Sequence, residues 1–195
     1  MKEGRRCSGY GMNLKTGSRI EMNEGKRLLH DFFIRDVLNV APELVGKILV
    51  IRSPESGLRK YMITETEAYR GYEDKACHAS HGRTVRNEIM FHAGGRIYVY
   101  FVYGMYWMLN FVTGAEDEPQ AALIRGIEGI NGPGKLTKVL GIGKSFYGED
   151  LITSDRIWVE DNGLRPSFKT GPRIGVDYAG EIWKNKPWRY FIELK

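Results

Sequence analysis

Two glutamates and a tyrosine alternate in the stretch Glu65-Thr66-Glu67-Ala68-Tyr69. Alternate side chains of a β-strand share one face, so these three would project together, with neighbours about 6.5 Å apart. Two partly buried carboxylates at that spacing cannot both ionise cheaply, so we expect a raised pKa on one of them or a cation opposite. Either arrangement suits a residue that handles a proton. The alternative is a solvated edge strand whose glutamates keep the protein soluble.

Arginines supply the cations that such an acidic strand could use. Arg125 follows the apolar run at 121–124, and a guanidinium carried into a sheet needs a carboxylate or an anionic ligand opposite it. Glu67 is the obvious partner, and the alternative is a rim arginine whose charged end reaches water. Arg83, Thr84 and Arg86 stand in a predicted loop and carry donors suited to phosphate oxygens, unless they are ordinary surface residues.

Aromatic residues crowd the segment 98–107, where the sequence places Tyr98, Tyr100, Tyr103, Tyr106 and Trp107. Each buried phenol needs a hydrogen-bond partner, so this density is unusual for a core. The segment is either a thick buried sheet or a stacking surface for planar rings. Tyr103 precedes Gly104 at a predicted hairpin tip, where a tyrosine can wedge between base pairs. Asn110, in the second strand, either satisfies backbone groups or reads a ligand.

Composition points to one folded unit inside the cell. A chain of 195 residues with 42% hydrophobic content can bury one good core. Its net charge of +5 resides mostly in residues 1–27, which hold seven Lys/Arg against three Asp/Glu. Two cysteines give no disulfide framework, and no signal-peptide or membrane-spanning pattern occurs, so we expect an intracellular protein that does not enter a membrane.

Two common classes of site are excluded by spacing. Gly143-Lys144-Ser145 ends like a phosphate-binding loop, but Lys138 stands where that motif requires a glycine. His78 and His81 have Cys77 beside them, yet no second Cys/His pair completes a zinc site, so we expect no metal.

The pattern of elements predicts the fold. A mobile basic arm is expected over residues 1–27, followed by a helix capped at Asp36 and a strand hairpin over 47–52 and 59–69. Further elements are predicted as a short helix at 87–92, aromatic strands at 97–102 and 105–112, a strand at 121–125, a helix from Gly134 to Leu140, and strands at 173–176 and 188–192. These elements predict an α+β single domain built on a curved antiparallel sheet, with a protruding hairpin and short surrounding helices.

The ordered motifs resemble a known family. They are Glu65–Tyr69 with Asp74 and His78, Arg86-Asn87 before Met90-Phe91, Tyr98-Val99-Tyr100 with Tyr103-Gly104, Asn110, Leu123-Ile124-Arg125, Gly132–Leu136 and Arg173-Ile174-Gly175. Together they resemble the 3-methyladenine (alkyladenine) DNA glycosylases of the vertebrate alkyladenine type. The resemblance covers about residues 28–195, which we expect to be the glycosylase domain.

The resemblance implies a role for each matching residue. Glu67 looks like the general base that activates water, with Arg125 as its companion, and Val176 looks like the donor of a water-positioning carbonyl. The remaining roles are a base pocket of Tyr69, Ala76, His78, Tyr100 and Asn110, intercalation by Tyr103 and Met105, and DNA-backbone contacts by Arg83, Thr84, Arg86 and Lys135. Asn110 resembles the filter that meets the 2-amino group of guanine.

The implied reaction removes alkylated or deaminated purines, such as 3-methyladenine and hypoxanthine, from duplex DNA. The enzyme flips the nucleotide out and hydrolyses its N-glycosidic bond, which leaves an intact strand with an abasic site and requires no cofactor. We expect a monomer whose partner is double-stranded DNA.

Two other classes remain open. A non-catalytic module that binds RNA or single strands would explain the tyrosines and the basic arm, but not Glu67 paired with Arg125. A sugar glycosidase could use Glu65 and Glu67, although neighbours on one strand flank a bond poorly.

The shared pocket requires a particular hairpin register. A two-residue turn at Tyr103-Gly104 would place Tyr100 and Asn110 on opposite faces, whereas a three-residue connection pairs 100 with 108 and brings 110 to the same face. We therefore predict an odd-length turn or a bulge near Gly104.

Overall fold

The computed structural model describes residues 25–54 and 57–193. Its strands are β1 Lys26–Arg27, β2 Ile48–Ser53, β3 Gly57–Arg70, β4 Ile97–Val102, β5 Tyr106–Thr113, β6 Gln120–Ile127, β7 Ile130–Asn131, β8 Ile157–Asp161, β9 Lys169–Gly171 and β10 Arg189–Phe191. Its α-helices are α1 His30–Phe33, α2 Val37–Leu44, α3 Pro133–Leu140 and α4 Glu181–Lys184. Short 3₁₀-helices occupy His78–His81, Glu88–Phe91, Lys144–Phe146 and Asp177–Ala179.

Within these described ranges, ten strands form one open antiparallel sheet with a few short helices, and the predicted α+β class is confirmed. The main path runs β1-β8-β2-β3-β6-β5-β4, with β10 beside β3, β9 beside β10 and β7 beside β6. The 14-residue strand β3 pairs with β2 through its first half and with β6 and β10 through its second half. None of the helices described is long and apolar enough to cross a membrane.

Two irregularities interrupt the pairing of β3 with β6. Ile63 lies opposite Ile127, Glu65 opposite Gly126 and Thr66 opposite Ile124. The partner numbers show one extra residue on each strand, Thr64 on β3 and Arg125 on β6. Bulges of this kind redirect side chains and are frequent beside active sites. The Arg125 side chain therefore projects from β6 at a position that has no directly paired residue in β3.

Helix α2 closes the face of β3 that is turned away from the glutamates. The Asp36 carboxylate accepts a hydrogen bond from the Leu38 N–H at 2.8 Å and caps the helix as predicted. The buried helix residues are Val37, Val40, Ala41 and Leu44, and burial of the two valines and the leucine stabilises the fold by about 2 kcal/mol each. Thr66 donates its hydroxyl to the Ala41 carbonyl at 2.7 Å, which ties the inner face of β3 to the helix.

The aromatic hairpin has the predicted odd-length turn. Val102 pairs with Tyr106, so Tyr103, Gly104 and Met105 connect the strands, and the Met105 N–H donates to the Val102 carbonyl at 3.1 Å. Tyr100 pairs with Met108 and Tyr98 with Asn110. Because directly paired residues of an antiparallel ladder share a face, Tyr98, Tyr100 and Asn110 lie on the same side of the sheet. The predicted register is confirmed.

The prediction of a strand over 173–176 is wrong. That segment is a bend in which Gly175 has φ +79°, a left-handed conformation that breaks an extended strand. Its backbone and side chains are used elsewhere: the Ile174 N–H binds a carboxylate and the Arg173 side chain is buried in an ion pair. The strand of this region is β9, which ends at Gly171. Strand β8, which pairs with β2 and β1, was not predicted.

The boundary predicted for the N-terminal arm also differs from the structure. Lys26 and Arg27 form β1 against β8, and Arg27 donates side-chain hydrogen bonds to the carbonyls of Leu151 and Ser154. These two residues therefore belong to the sheet. Residues 1–24, where the rest of the predicted arm falls, lie outside the described residues.

Candidate active site

The strand register assembles a row of side chains across the sheet. Glu67 on β3 pairs with Leu123 on β6, Leu123 pairs with Asn110 on β5, and Asn110 pairs with Tyr98 on β4. Directly paired residues share a face, so all four project to the same side. Tyr69, two residues after Glu67, lies on that face as well. The sheet thereby forms the floor of a site to which four strands contribute.

A cavity of about 680 Å³ stands on this floor. The predicted site residues that line it are Tyr69, Ala76, His78, Arg86, Tyr100, Tyr103, Asn110, Arg125 and Val176. Glu67, Met105, Arg83, Thr84 and Lys135 do not line it. A volume of this size is typical of small-molecule sites.

Glu67 is fully buried behind residues that line the cavity. Its Oε2 accepts a hydrogen bond from the Tyr69 hydroxyl at 2.8 Å, and its Oε1 accepts one from the Ile174 N–H at 2.8 Å. Arg125 Nε lies 3.4 Å from the same Oε1. Burial raises the pKa of Glu67, and Arg125, Ile174 and Tyr69 oppose that rise. A buried carboxylate with a raised pKa is well suited to accept a proton.

Glu65 has a different environment although it stands on the same strand. Its Oε1 accepts hydrogen bonds from Arg125 Nε at 3.1 Å and from Arg189 Nη1 at 3.2 Å. The expectation of a raised pKa or an opposing cation is met twice, since Glu67 has the raised pKa and Arg125 faces both acids. Arg189 was not predicted as a site residue, and its position on β10 directly opposite Glu67 depends on a strand pairing that the sequence does not reveal.

Aromatic rings form one wall of the cavity. His78 and Tyr100 meet with ring centroids 4.5 Å apart, and His78 Nδ1 lies 2.8 Å from the Tyr98 hydroxyl. Burial, together with the nearby Arg86, lowers the pKa of His78 to about 4, so its ring is neutral near pH 7. A neutral imidazole offers one donor and one acceptor nitrogen. The guanidinium of Arg86 lies 5.3 Å from the Tyr100 ring centroid.

Asn110 is held rigidly in the floor of the cavity. Its Nδ2 donates to the backbone carbonyls of Tyr98 at 3.1 Å and Met108 at 3.2 Å. These two bonds use both amide hydrogens and fix the plane of the side chain. The sequence left open whether Asn110 satisfies backbone groups or reads a ligand, and the structure places it where it can do both.

The hairpin tip projects two large apolar side chains. Tyr103 is 86% exposed and Met105 is 62% exposed. Tyr103 has φ +53°, a left-handed conformation that non-glycine residues adopt at an energetic cost and that occurs in tight turns. The turn therefore holds an exposed aromatic ring at the edge of the cavity in a backbone conformation that costs free energy.

The predicted phosphate-binding residues differ in whether their side chains already have partners within the protein. Arg83 is paired with Glu88 at 2.5 Å and with Asp117 at 3.1 Å. Thr84 donates its N–H and its hydroxyl to Asn87 Oδ1 at 2.6 and 2.9 Å. Arg86 and Lys135 are exposed, and Lys135 lies in the first turn of α3. In residues 25–54 and 57–193, no three His, Cys, Asp or Glu side chains group as they would around a metal ion.

Comparison with known proteins identifies similar chains. Residues 31–131 and 128–195 match a family model described as methylpurine-DNA glycosylase. A protein of Rickettsia felis named "Putative 3-methyladenine DNA glycosylase" is 44% identical over 178 residues, covering 88% of this chain and 96% of its own length. Proteins of the same name from Psychrobacter cryohalolentis and Methanocella arvoryzae are 41% and 42% identical over 80% and 84% of this chain and 91% of their own lengths.

Proposed function

This chain belongs to the methylpurine-DNA glycosylase family, and on that premise we propose that it excises 3-methyladenine and hypoxanthine from duplex DNA by base flipping and glutamate-activated hydrolysis. The proposal assigns to individual residues of this chain the roles that the resemblance to the vertebrate alkyladenine type implies. The observation that carries it is the fully buried Glu67 carboxylate, held by three donors at the back of an aromatic cavity. The catalytic domain would begin at β1 with Lys26, two residues earlier than the predicted boundary at 28, and would act inside the cell as a monomer.

The cavity supports the binding of a flipped purine. Tyr69 on one side and His78 with Tyr100 on the other offer aromatic faces for stacking, which contributes about 1–3 kcal/mol per base. The backbone of Ala76 and His78 would read the edge of the base. A neutral His78 can hydrogen-bond the base without repelling a cationic lesion such as 3-methyladenine.

The reaction follows from the surroundings of Glu67. As the bond between C1′ and the base nitrogen breaks, its electron pair leaves with the base and the sugar becomes oxocarbenium-like. Glu67 takes a proton from water, whose oxygen bonds to C1′, while the Val176 carbonyl holds that water. The negative charge of Glu67 also stabilises the cationic sugar, and Arg125 keeps the carboxylate oriented. The alkylated cationic base departs neutral, whereas hypoxanthine needs a proton or a hydrogen bond.

The hairpin and the exposed cations complete the contact with DNA. Tyr103, with Met105 beside it, would fill the gap that the flipped nucleotide leaves. Arg86 and Lys135 would bind phosphate oxygens directly, whereas Arg83 would first exchange Glu88 or Asp117 for a phosphate. Thr84 would hold the loop through Asn87 as well as contact the backbone.

Release of free base is the direct test of this function. Incubation with a duplex that carries one hypoxanthine or one 3-methyladenine should yield the free base and an intact strand with an abasic site. Tight binding of RNA or single-stranded DNA without release of any base would instead support a non-catalytic nucleic-acid-binding module.

The pH dependence of the reaction should report on Glu67. Because Glu67 must be ionised to accept a proton and burial raises its pKa, the single-turnover rate should fall with decreasing pH along a limb centred above 4.5, the ordinary glutamate value. Burial lowers the pKa of His78 to about 4, so protonation of His78 should appear only towards the acidic end of that limb. A limb at or below the ordinary glutamate value would contradict the raised pKa.

Replacement of Asn110 tests the discrimination against guanine. Asn110→Ser removes the fixed amide from the floor of the cavity, so we expect release of guanine-type bases to rise by about tenfold or more relative to hypoxanthine. The ratio of the two release rates is the measurement, and thermal unfolding of the variant is the control. An unchanged ratio in a folded variant would leave Asn110 with its two backbone hydrogen bonds as its only role.

A further inference from the structure

A fully buried ion pair joins the two segments that close the cavity on the side of Val176. Arg173 Nη1 donates to Asp74 Oδ2 at 2.5 Å, and Arg173 Nη2 donates to Asp74 Oδ1 at 2.8 Å. Both side chains are completely inaccessible to solvent. Asp74 lies in the loop that follows β3, and Arg173 lies two residues after β9. The planar guanidinium and the carboxylate form a bidentate ion pair, which fixes the position and the orientation of both side chains.

Each partner also holds backbone beside the cavity. Asp74 accepts hydrogen bonds from the N–H groups of Arg70 at 3.1 Å and Ala76 at 3.0 Å, and Ala76 lines the cavity. Arg173 donates to the Ala68 carbonyl at 2.9 Å. The pair therefore fastens the 173–176 bend to the strand that carries Glu67 and to the loop beyond it.

Two of the three groups that hold Glu67 lie next to Arg173. Ile174, the following residue, donates its N–H to Glu67 Oε1. The Tyr69 ring, whose hydroxyl donates to Glu67 Oε2, stacks on the Arg173 guanidinium at 4.8 Å, and the Trp188 ring covers it at 5.0 Å. A shift of Arg173 would thus move the Ile174 donor and remove the support behind Tyr69.

Stability alone does not account for this arrangement. Burying two charges costs about as much as their mutual attraction returns, and an apolar pair of similar volume is often as stable. What the ion pair provides is a fixed geometry between segments that are far apart in the chain.

We propose that the Asp74–Arg173 pair is a positioning element for the catalytic base, because it places the Ile174 N–H and the Tyr69 hydroxyl on Glu67. Neither residue touches the substrate. The inference rests on the proposed role of Glu67. It adds an explanation of what fixes the position of the Glu67 carboxylate and influences its pKa.

The charged and titratable groups around Glu67 come from five parts of the chain. They are Glu65 and Tyr69 on β3, Tyr100 on β4, Arg125 on β6, Arg189 on β10, and Arg173 and Tyr178 between β9 and α4. The Ile174 N–H favours the ionised carboxylate, so its loss should raise the pKa of Glu67 further. A hydrogen bond to a charged group corresponds to a change of about one pH unit or more.

The test compares the pH dependence of base release in three variants. Arg173→Lys keeps the charge that Asp74 requires but loses the two-pronged contact, and Asp74→Asn keeps the shape but loses the charge. Ile174→Pro removes the N–H group that binds Glu67. Ile174 is 51% exposed, so this variant tests the effect of that hydrogen bond on Glu67 even if the two buried variants are unstable. Lys47→Arg, in the ion pair that buried Lys47 makes with partly exposed Asp161 at 2.9 Å, is the control.

We expect the single-turnover rate of Arg173→Lys and Asp74→Asn at saturating enzyme to fall about 10- to 100-fold near neutral pH, because small displacements of a catalytic group have effects of that size. The acidic limb should move up by about one pH unit in these variants and in Ile174→Pro. Binding of lesion duplex should change by less than about threefold, and Lys47→Arg should lower the melting temperature without moving the limb.

An unchanged limb in folded Arg173→Lys or in Ile174→Pro would overturn the positioning role and leave the pair as a structural tie. This outcome is distinct from failure of the proposed function, in which the wild-type protein itself would release no base or Glu67→Gln would remain active.

Discussion

Glu67→Gln should abolish base release almost completely while the variant still binds damaged DNA. Glutamine retains the shape of the side chain and can still accept the Ile174 N–H, but it cannot take a proton from water or carry the charge that stabilises the sugar cation. We expect the single-turnover rate on a hypoxanthine duplex to fall by about 10²–10⁴-fold. Affinity for the same duplex should remain within about tenfold of wild type.

The matched control for this variant is Glu160→Gln. Glu160 is also a buried glutamate with a cationic partner, Lys60 at 2.6 Å, but it lies on β8, away from the cavity. Its replacement should affect thermal unfolding and leave the rate at saturating enzyme unchanged. Undiminished release by Glu67→Gln would reject Glu67 as the base and, with it, the assigned mechanism.

Tyr103→Ser should weaken binding to lesion duplexes by about 10- to 100-fold, because unstacking a base step costs a few kcal/mol and the wedge offsets that cost. The wedge lowers the cost of extrusion and leaves the glycosidic barrier unchanged. Release from a mismatched site, whose base is already easy to flip, should therefore suffer much less.

Binding and release on both duplexes are the measurements, and Tyr72→Ser is the control. Tyr72 is 54% exposed but does not line the cavity, so its loss should change neither quantity. Equal losses on paired and mismatched lesions for Tyr103→Ser would remove the wedge from the mechanism.

Local patterns predicted those parts of the site that local geometry determines. The alternation of Glu65, Glu67 and Tyr69 predicts their common face, since the two-residue period of a strand is steric. The hairpin register needed more than a local pattern: the predicted strands 97–102 and 105–112 leave two turn residues, and the three-residue turn Tyr103–Met105 was predicted because the pocket implied by the resemblance requires Tyr100 and Asn110 on one face.

The remaining parts depend on contacts between distant segments. Asp74 and Arg173 are separated by 99 positions, and nothing near either residue signals the other. The segment 173–176, predicted as a strand, is a bend whose backbone N–H binds a carboxylate on β3, a contact that nothing in its own sequence indicates. Strand β8 does have a local signal in the sequence, since apolar Ile157 and Val159 alternate as on a strand.

The bulges of β3 and β6 compensate each other, and this compensation determines which side chains face the cavity and which face α2. Thr64 adds one residue to β3 and Arg125 adds one to β6, so the pairing after the bulges, Glu67 with Leu123, continues the count before them, Ile63 with Ile127. Losing Thr64 alone would reverse the faces of the β3 residues that follow it, turning Glu67 and Tyr69 towards α2 and buried Ala68 towards the cavity. In evolutionary terms, a lone deletion in this stretch would invert the site, whereas a substitution that keeps its length would leave the faces of both strands as they are.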